Sequence, residues 1–394
     1  MLNKAKVLSD ELVRLRRDIH THPELAFQEH RTAALVAETL EEIGIKTQTG
    51  VGRTGVVGQL GSGDGPTIAI RADMDALPID ERNDVSYRST NDGVMHACGH
   101  DAHTAILLGA AQLLRESQMK DAWRGNVRLL FQPAEEYPDE NGISGAAAMI
   151  DDGALDGVDA VIALHVWSTM PSGVCYFHDG PSMASVDSFK AWIKGQGGHG
   201  AYPHTTVDPL FLLAPVLTAL YAIPSRQVSP LRESVVSLGQ IHGGTTSNVI
   251  PGQVFLEGTI RAFDPEVRQR LQDEVQRAFR ISETMGGSFD LELTCGYPAL
   301  NNDSRVNDWL RDTARDLLGQ DGVGSDEFGM GAEDFAYMAQ RAPGAMFMLG
   351  AAIPDDVERR HHADDFNIDE GVLPVGAAVL AETARRFVTG QLDL

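Results

Sequence analysis

A chain of 394 residues is long for one hydrophobic core, and 43% hydrophobic residues with 40 glycines describe an ordinary globular protein of two domains. Its 32 Lys and Arg face 56 Asp and Glu, and the net charge of −24 argues against nucleic acid and anionic membrane surfaces as partners. An anionic substrate must then meet positive groups placed locally, because the overall field repels it.

In chain order, Leu8, Leu12, Leu15 and Ile19 share one helical face, and Val36, Leu40 and Ile43 repeat that pattern up to Gly44. No apolar signal core follows Met1, and no run of about 18 apolar residues is long enough to cross a membrane. Residues 67–72 read as a buried strand that delivers Asp73-Met74-Asp75 at its end. An alanine- and leucine-rich helix is expected over 102–116, and a second apolar strand over 127–131 ends in Gln132-Pro133-Ala134-Glu135-Glu136. A third, 160–164, ends in His165-Val166-Trp167. Three apolar strands each ending in ionisable residues point to a site at the carboxyl edge of an α/β sheet.

From about 185 the pattern changes to strand 189–194, helix 209–223, strand 235–241, strand 254–262, helix 265–285 and strand 289–294. That β-α-β-β-α-β order predicts a ferredoxin-like module, a domain at 185–295 inserted into a discontinuous one formed by 1–184 and 296–394. Beyond it lie the glycine-rich run ending Gly331-Ala332-Glu333-Asp334-Phe335, a strand at 346–349, His361-His362 and a final helix over 370–388.

The densest chemistry is His96-Ala97-Cys98-Gly99-His100-Asp101-Ala102-His103. Cys98 and His100 have ligand spacing if the chain is extended there, and Gly99 allows the backbone to bend. Two ligands do not complete a site, so others must come from elsewhere. Glu135 and Glu136 fit as one ligand and one base, because a divalent ion lowers the pKa of water to about 7, within reach of a carboxylate. His165 is a further candidate. The three cysteines, Cys98, Cys175 and Cys295, form no disulfide framework, which points to the cytoplasm.

These residues, with His20-x-His22-Pro23-Glu24, Arg71-Ala72-Asp73-Met74-Asp75-Ala76-Leu77-Pro78 and Gly197-Gly198-His199-Gly200-Ala201-Tyr202-Pro203-His204, occur in a telling order. Gly244-Thr245-Thr246-Ser247-Asn248-Val249-Ile250-Pro251 and Gly258-Thr259-Ile260-Arg261 continue it. As an ordered set they resemble peptidase family M20, in its amidohydrolase branch of hippurate hydrolases, N-acyl-amino-acid deacylases and auxin-conjugate hydrolases. The resemblance implies an α/β catalytic domain with a mixed central sheet and two divalent ions, zinc or manganese, with cobalt or nickel possible. It makes Cys98 the bridging ligand, His100 and His165 ligands of one ion, and Glu136 and His361 ligands of the other. His362 competes with His361, whose spacing to Asp369-Glu370 matches the relatives. Glu135 is implied as general base, Asp75 as the carboxylate that orients a ligand, and His199 as the oxyanion donor. Asn248, Arg261, Gly331 and Ala332 are the implied substrate contacts. The part of Asp73 is open, since other branches carry a histidine there, and many relatives have serine at Ala332. The inserted domain is implied to serve as lid and dimer interface, with His199 serving the partner subunit.

The expected activity is hydrolysis of N-acyl amino acids to a carboxylic acid and a free amino acid. A dipeptidase or an N-acetyl-diaminopimelate-type deacetylase is the nearest alternative. A thiol amidase built on Cys98 with His100 as base, and a binding protein without catalysis, are alternatives of other classes.

Overall fold

Strands that are apolar along their whole length must be covered on both faces, which is the habit of parallel sheets. The computed structural model describes residues 1–393 except Ser62, Ala122 and Glu327. In it four largely apolar strands lie side by side in parallel, in the order Asn126–Gln132, Thr67–Asp73, Ala160–Trp167 and Gly344–Gly350. Every residue of Thr67–Asp73 and of Gly344–Gly350 is buried. Gly55–Leu60 and Lys46–Val51 extend the sheet antiparallel on one side. Cys175–Phe177 and Val323–Ser325 extend it on the other, completing a mixed sheet of eight strands. The parallel centre brings the carboxyl ends of its four strands to one edge.

Helix His100–Gln118 packs on Leu373–Val388 and on Ser9–Thr21, whose Leu12, Leu15 and Ile19 are buried as their spacing requires. Residues 370–388 are not one helix: Glu370–Val372 is a 3-10 turn capped by Asp369, and the α-helix begins at Leu373 ahead of Pro374, a favoured first-turn residue. Helix Ser9–Thr21 also carries a charge into the interior. Arg16 is fully buried, its Nε 2.7 Å from Asp101 Oδ2, and the same oxygen receives His20 Nδ1 at 2.8 Å. His20 Nε2 reaches Glu81 Oε1 at 3.2 Å, so one imidazole links two buried carboxylates. This network pins the first turn of helix His100–Gln118, in which Asp101 follows His100.

Contacts divide the chain into two units. The first comprises Met1–Gly180, Asn301–Phe328 and the chain from Asp334 onward; the second comprises Pro181–Leu300 and Gly329–Glu333. The second unit's sheet runs Ser234–His242, Gln253–Ala262, Ser185–Lys194, Ser288–Cys295, antiparallel throughout. Burial alternates along Ser185–Lys194 and Gln253–Ala262, so one face is core. Helices Pro209–Arg226 and Pro265–Phe279 cover that face through Leu212, Val216, Leu220, Leu271, Val275 and Phe279. This is the expected β-α-β-β-α-β module. The helix expected over 265–285 is interrupted after Phe279, where buried Ser282 turns its hydroxyl onto the Phe279 carbonyl, a bond that competes with regular helix. Among the described residues, one helix, Pro209–Arg226, is long and apolar enough to cross a membrane by length and composition alone. Its buried row instead closes the second unit's core, and Pro215 and Pro224 lie within it.

Breaking a buried ion pair by removing one partner strands the other charge. Arg16→Met is expected to destabilise the first unit by about 3–5 kcal/mol, read from its urea unfolding transition. A change within the roughly 0.5 kcal/mol typical of surface substitutions would show that the pair does not hold the helix.

Candidate active site

All four central strands end at this site. Thr67–Asp73 supplies Asp73 and then Asp75; Asn126–Gln132 is followed by Glu135 and Glu136; His165 lies two residues before the end of Ala160–Trp167. The chain leaving Gly344–Gly350 reaches His361 and His362. Between Gln132 and the two glutamates, Ala134 takes φ 48°, a left-handed conformation that costs of order 1–3 kcal/mol for a residue with a side chain. It is fastened on both sides: its N–H donates to Glu29 Oε1 at 2.9 Å and its carbonyl accepts from Gly145 N at 2.9 Å.

Cys98 and His100 are not neighbours on an extended strand. Gly99 has φ 95°, and His100 opens the helix His100–Gln118. A Cβ on Gly99 would stand 2.4 Å from Val166 Cγ2, so glycine is required here for space as well as for φ. The tight turn delivers Cys98 Sγ to 3.5 Å from His165 Nε2.

The backbone decides which nitrogen of each ring is free. His165 Nδ1 lies 2.7 Å from the Val166 carbonyl, an acceptor only, so it carries the proton and leaves Nε2 as a lone pair facing Cys98. His100 Nδ1 is 2.9 Å from the Asp75 carbonyl oxygen and 3.2 Å from Asp75 Oδ1. Its Nε2 is buried with no hydrogen-bond partner, 3.6 Å from Asp73 Oδ2 and 3.9 Å from Glu136 Oε1. Asp75 also accepts the Glu136 N–H through Oδ2 at 3.0 Å, so one carboxylate orients His100 and the chain at Glu136 together. Lone pairs aimed inward and N–H groups tied outward are what a metal site requires of its histidines.

Two candidate ligand groups share one sulfur: Cys98 with His100 and His165, and Cys98 with Glu136 and His362. Glu135 falls with His100 and Glu136 in a third. Of the adjacent histidines, His362 places Nε2 3.2 Å from Glu136 Oε1, with φ 62° and its N–H bonded to the Ala97 carbonyl at 2.8 Å. His361 lies with Nδ1 3.7 Å from Cys98 Sγ and Nε2 3.3 Å from the Ser168 N–H.

The field at this edge suits cations. Burial disfavours a charged His100, yet Asp73, Asp75 and Glu136 outweigh it and raise its pKa to about 10. Burial, then Glu136 and Glu135, push the Cys98 thiol well above its usual range, so a thiolate forms here only beside positive charge. Burial and then Asp75 lift Glu29 to about 7.

A buried network lies behind the candidate ligands, and the signal that could have found it is an arginine inside an apolar strand, which needs partners. Arg71 donates to Asp73 Oδ2 at 2.6 Å, Asp334 Oδ1 at 3.0 Å and Gln132 Oε1 at 2.8 Å. His103 Nδ1 meets Asp73 Oδ1 at 2.6 Å, while its Nε2 accepts the Val166 N–H at 2.9 Å beside His165. Asp73, left without a part by sequence, therefore lies between Arg71 and His103. No local pattern announced Asp334 as Arg71's partner, because the two are 263 residues apart.

The remaining predicted residues lie in the second unit. His199 pairs with Val249 in a two-stranded ladder and accepts the Ala201 N–H on Nδ1 at 3.0 Å, so its proton sits on Nε2 of an exposed ring. Asn248 Oδ1 accepts from Thr246 Oγ1 at 3.1 Å. Arg261 is half-buried opposite Val186 and Val235, and burial lowers its pKa. Gly331 accepts the Ala184 N–H at 2.8 Å, next to Ala332.

Asp75→Asn replaces a carboxylate that holds both the His100 ring and the Glu136 backbone, two candidate ligand positions. Metal affinity, measured against a chromophoric chelator, is expected to fall about 10–100-fold; unchanged affinity would remove Asp75 from that role.

Residues 69–386 match Peptidase family M20/M25/M40. The chain is 41% identical to thermostable carboxypeptidase 2 of Saccharolobus solfataricus, over 98% of this chain and 97% of that protein. It is also 41% identical to N-acetyl-L-cysteine deacetylase of Bacillus subtilis, over 97% of this chain and 89% of that protein. The crystal structure of the Bacillus subtilis YXEP protein, described as a dinuclear metal binding peptidase from the M20 family, has a TM-score of 0.83 at 34% identity. That likeness covers 97% of this chain and 99% of that one. With its sequence matched over nearly the full length of such relatives, the chain belongs to peptidase family M20/M25/M40.

Proposed function

We propose that this enzyme hydrolyses the amide of N-acyl amino acids with two divalent ions, which Cys98 would help to hold together with the histidines and glutamate around it. The observation that carries the reading is one sulfur shared by two candidate ligand groups, with a second acid, Glu135, grouped with His100 of one and Glu136 of the other. His100 and His165 would hold one ion, Glu136 and His362 the other. His362 takes the place that spacing gave to His361, because His362 is the one beside Glu136. Such ions polarise the amide carbonyl and lower the pKa of water. Glu135 takes the proton of the attacking water and returns it to the leaving nitrogen. Asp75 fixes the His100 ring and the Glu136 backbone. His199, whose Nε2–H is free of the backbone, is the donor to the developing oxyanion. Asn248 and Arg261 would hold the substrate carboxylate, Arg261 by its paired N–H groups, with Gly331 and Ala332 beside them.

The names of the relatives support this substrate class. A carboxypeptidase and an N-acetylcysteine deacetylase both cut an amide whose nitrogen belongs to an amino acid with a free carboxylate, so peptides are the second reading. The thiol amidase loses ground, because burial, and then the acids that surround Cys98, oppose a free thiolate. Zinc or manganese suits the mixed nitrogen, sulfur and carboxylate set. We place the enzyme in the cytoplasm, consistent with three free cysteines, as a homodimer joined through its second unit.

Metal-reconstituted protein assayed on a panel of N-acetyl, N-benzoyl and N-aminoacyl amino acids tests the proposal. Release of the free amino acid, abolished by a chelator, is the expected result; turnover that survives chelation and dies with a thiol reagent would overturn it. Glu135→Gln is expected to retain its metal and lose about 10²–10⁴ in kcat. A near wild-type rate would take the base role from Glu135. If His199 serves the partner subunit, mixing Glu135→Gln with His199→Ala restores activity in heterodimers. No recovery after demonstrated subunit exchange would contradict that arrangement.

A further inference from the structure

Two imidazole nitrogens approach Cys98 Sγ at similar distances, and the backbone gives them opposite character. His165 Nε2, at 3.5 Å, is a lone pair, because its Nδ1 proton is committed to the Val166 carbonyl. His361 has the reverse arrangement. Its Nε2 lies 3.3 Å from the backbone N–H of Ser168, a group that can only donate, so Nε2 must be the unprotonated nitrogen. The proton is then on Nδ1, the atom 3.7 Å from Cys98 Sγ, and the Cys98 backbone is a further hydrogen-bond partner of the ring. A lone pair facing the sulfur is a co-ligand's geometry; an N–H facing it is a hydrogen-bond donor's.

The ring has little freedom to turn over and reverse this. It lies against Trp167 and Phe366, each with ring centres 5.1 Å away, and against His165 at 5.3 Å. The next residue is anchored to the Cys98 segment by the bond from His362 N to the Ala97 carbonyl. Adjacent histidines thus divide two tasks: His362 stands beside Glu136, and His361 presents an N–H to the sulfur.

We propose that His361 is a positioning residue that donates a hydrogen bond to the Cys98 thiolate, directing the sulfur lone pairs and drawing off part of its charge. The inference rests on the reading of Cys98 as a thiolate ligand. Hydrogen bonds to ligand atoms tune a site in this way: a donor on sulfur weakens its push of charge onto the ions and leaves them stronger Lewis acids.

The probe is Co²⁺, whose near-ultraviolet sulfur-to-metal charge-transfer band reports charge on the thiolate. His361→Leu keeps an apolar body between Trp167 and Phe366 and removes the N–H; His361→Asn can offer an amide N–H where the ring Nδ1 stood. The expected result is that His361→Leu binds as much Co²⁺ as the unmodified chain with the band moved to longer wavelength. His361→Asn then moves it back toward the original position. An unmoved band in His361→Leu would overturn the proposal. So would loss of one Co²⁺ in both variants with full loading of His362→Ala, which would make His361 the ligand. Absence of any such band in the unmodified Co²⁺ protein would instead bring down the thiolate-ligand reading and this inference with it. ¹⁵N NMR of the His361 ring in the unmodified metal-loaded protein reads the tautomer without substitution. A protonated Nδ1 supports the assignment, and a protonated Nε2 overturns it.

Discussion

Asp73, Asp75, Glu135 and Glu136 converge with Cys98 at one buried sheet edge, and this concentration of negative charge governs the rest of the site. Moving a single carboxylate into a low-dielectric interior carries an idealised cost of order 20 kcal/mol, more than the roughly 5–15 kcal/mol of net stability a domain possesses. Each acid must therefore be matched. Asp73 is matched by Arg71 and His103. Asp75 accepts His100 Nδ1 and a backbone N–H. Glu136 faces His362 and His100, and the field remaining is strong enough to raise His100 to about 10. A site so arranged attracts divalent cations, and the family to which the chain belongs includes a dinuclear metal binding peptidase among its solved structures.

Backbone groups convert that charge into chemistry by fixing ring tautomers. A carbonyl facing Nδ1 of His165 and of His100 makes Nε2 the nitrogen that offers a lone pair whenever the ring is neutral. An N–H facing Nε2 of His103 leaves its proton for Asp73, and an N–H facing Nδ1 of His199 leaves a donor on the exposed side of that ring. Because these partners are main-chain atoms, the assignments are set by the fold, and substitution of neighbouring side chains does not erase them. Strain accompanies this precision: Ala134 and His362 both hold left-handed backbone at turns that carry Glu135, Glu136 and the histidine pair.

Much of this was legible in the sequence for a physical reason. A strand buried on both faces has to be apolar throughout, so ionisable residues at its carboxyl end stand out, as after 67–72, 127–131 and 160–164. In the second unit the succession of apolar strands and helices along the chain made the β-α-β-β-α-β order readable as well. Choosing between His361 and His362 was beyond such reasoning, because neighbouring side chains diverge according to one dihedral, and that dihedral is the left-handed one of His362. Spacing from Cys98 to His100 misled about the backbone, since Gly99 ends the extended segment and the helix begins at His100. The partner of Arg71 was hidden by distance along the chain. The break after Phe279 depended on a serine hydroxyl that periodicity does not register.

The central claim is that one sulfur serves two ions. Anomalous diffraction from crystals of the protein loaded with Mn²⁺ or Zn²⁺, collected on both sides of the metal edge, measures it directly. The account predicts two peaks in each chain, Cys98 Sγ lying between them, with His100 and His165 on one peak and Glu136 and His362 on the other. A single fully occupied peak at Cys98, or two peaks neither of which touches its sulfur, would contradict it.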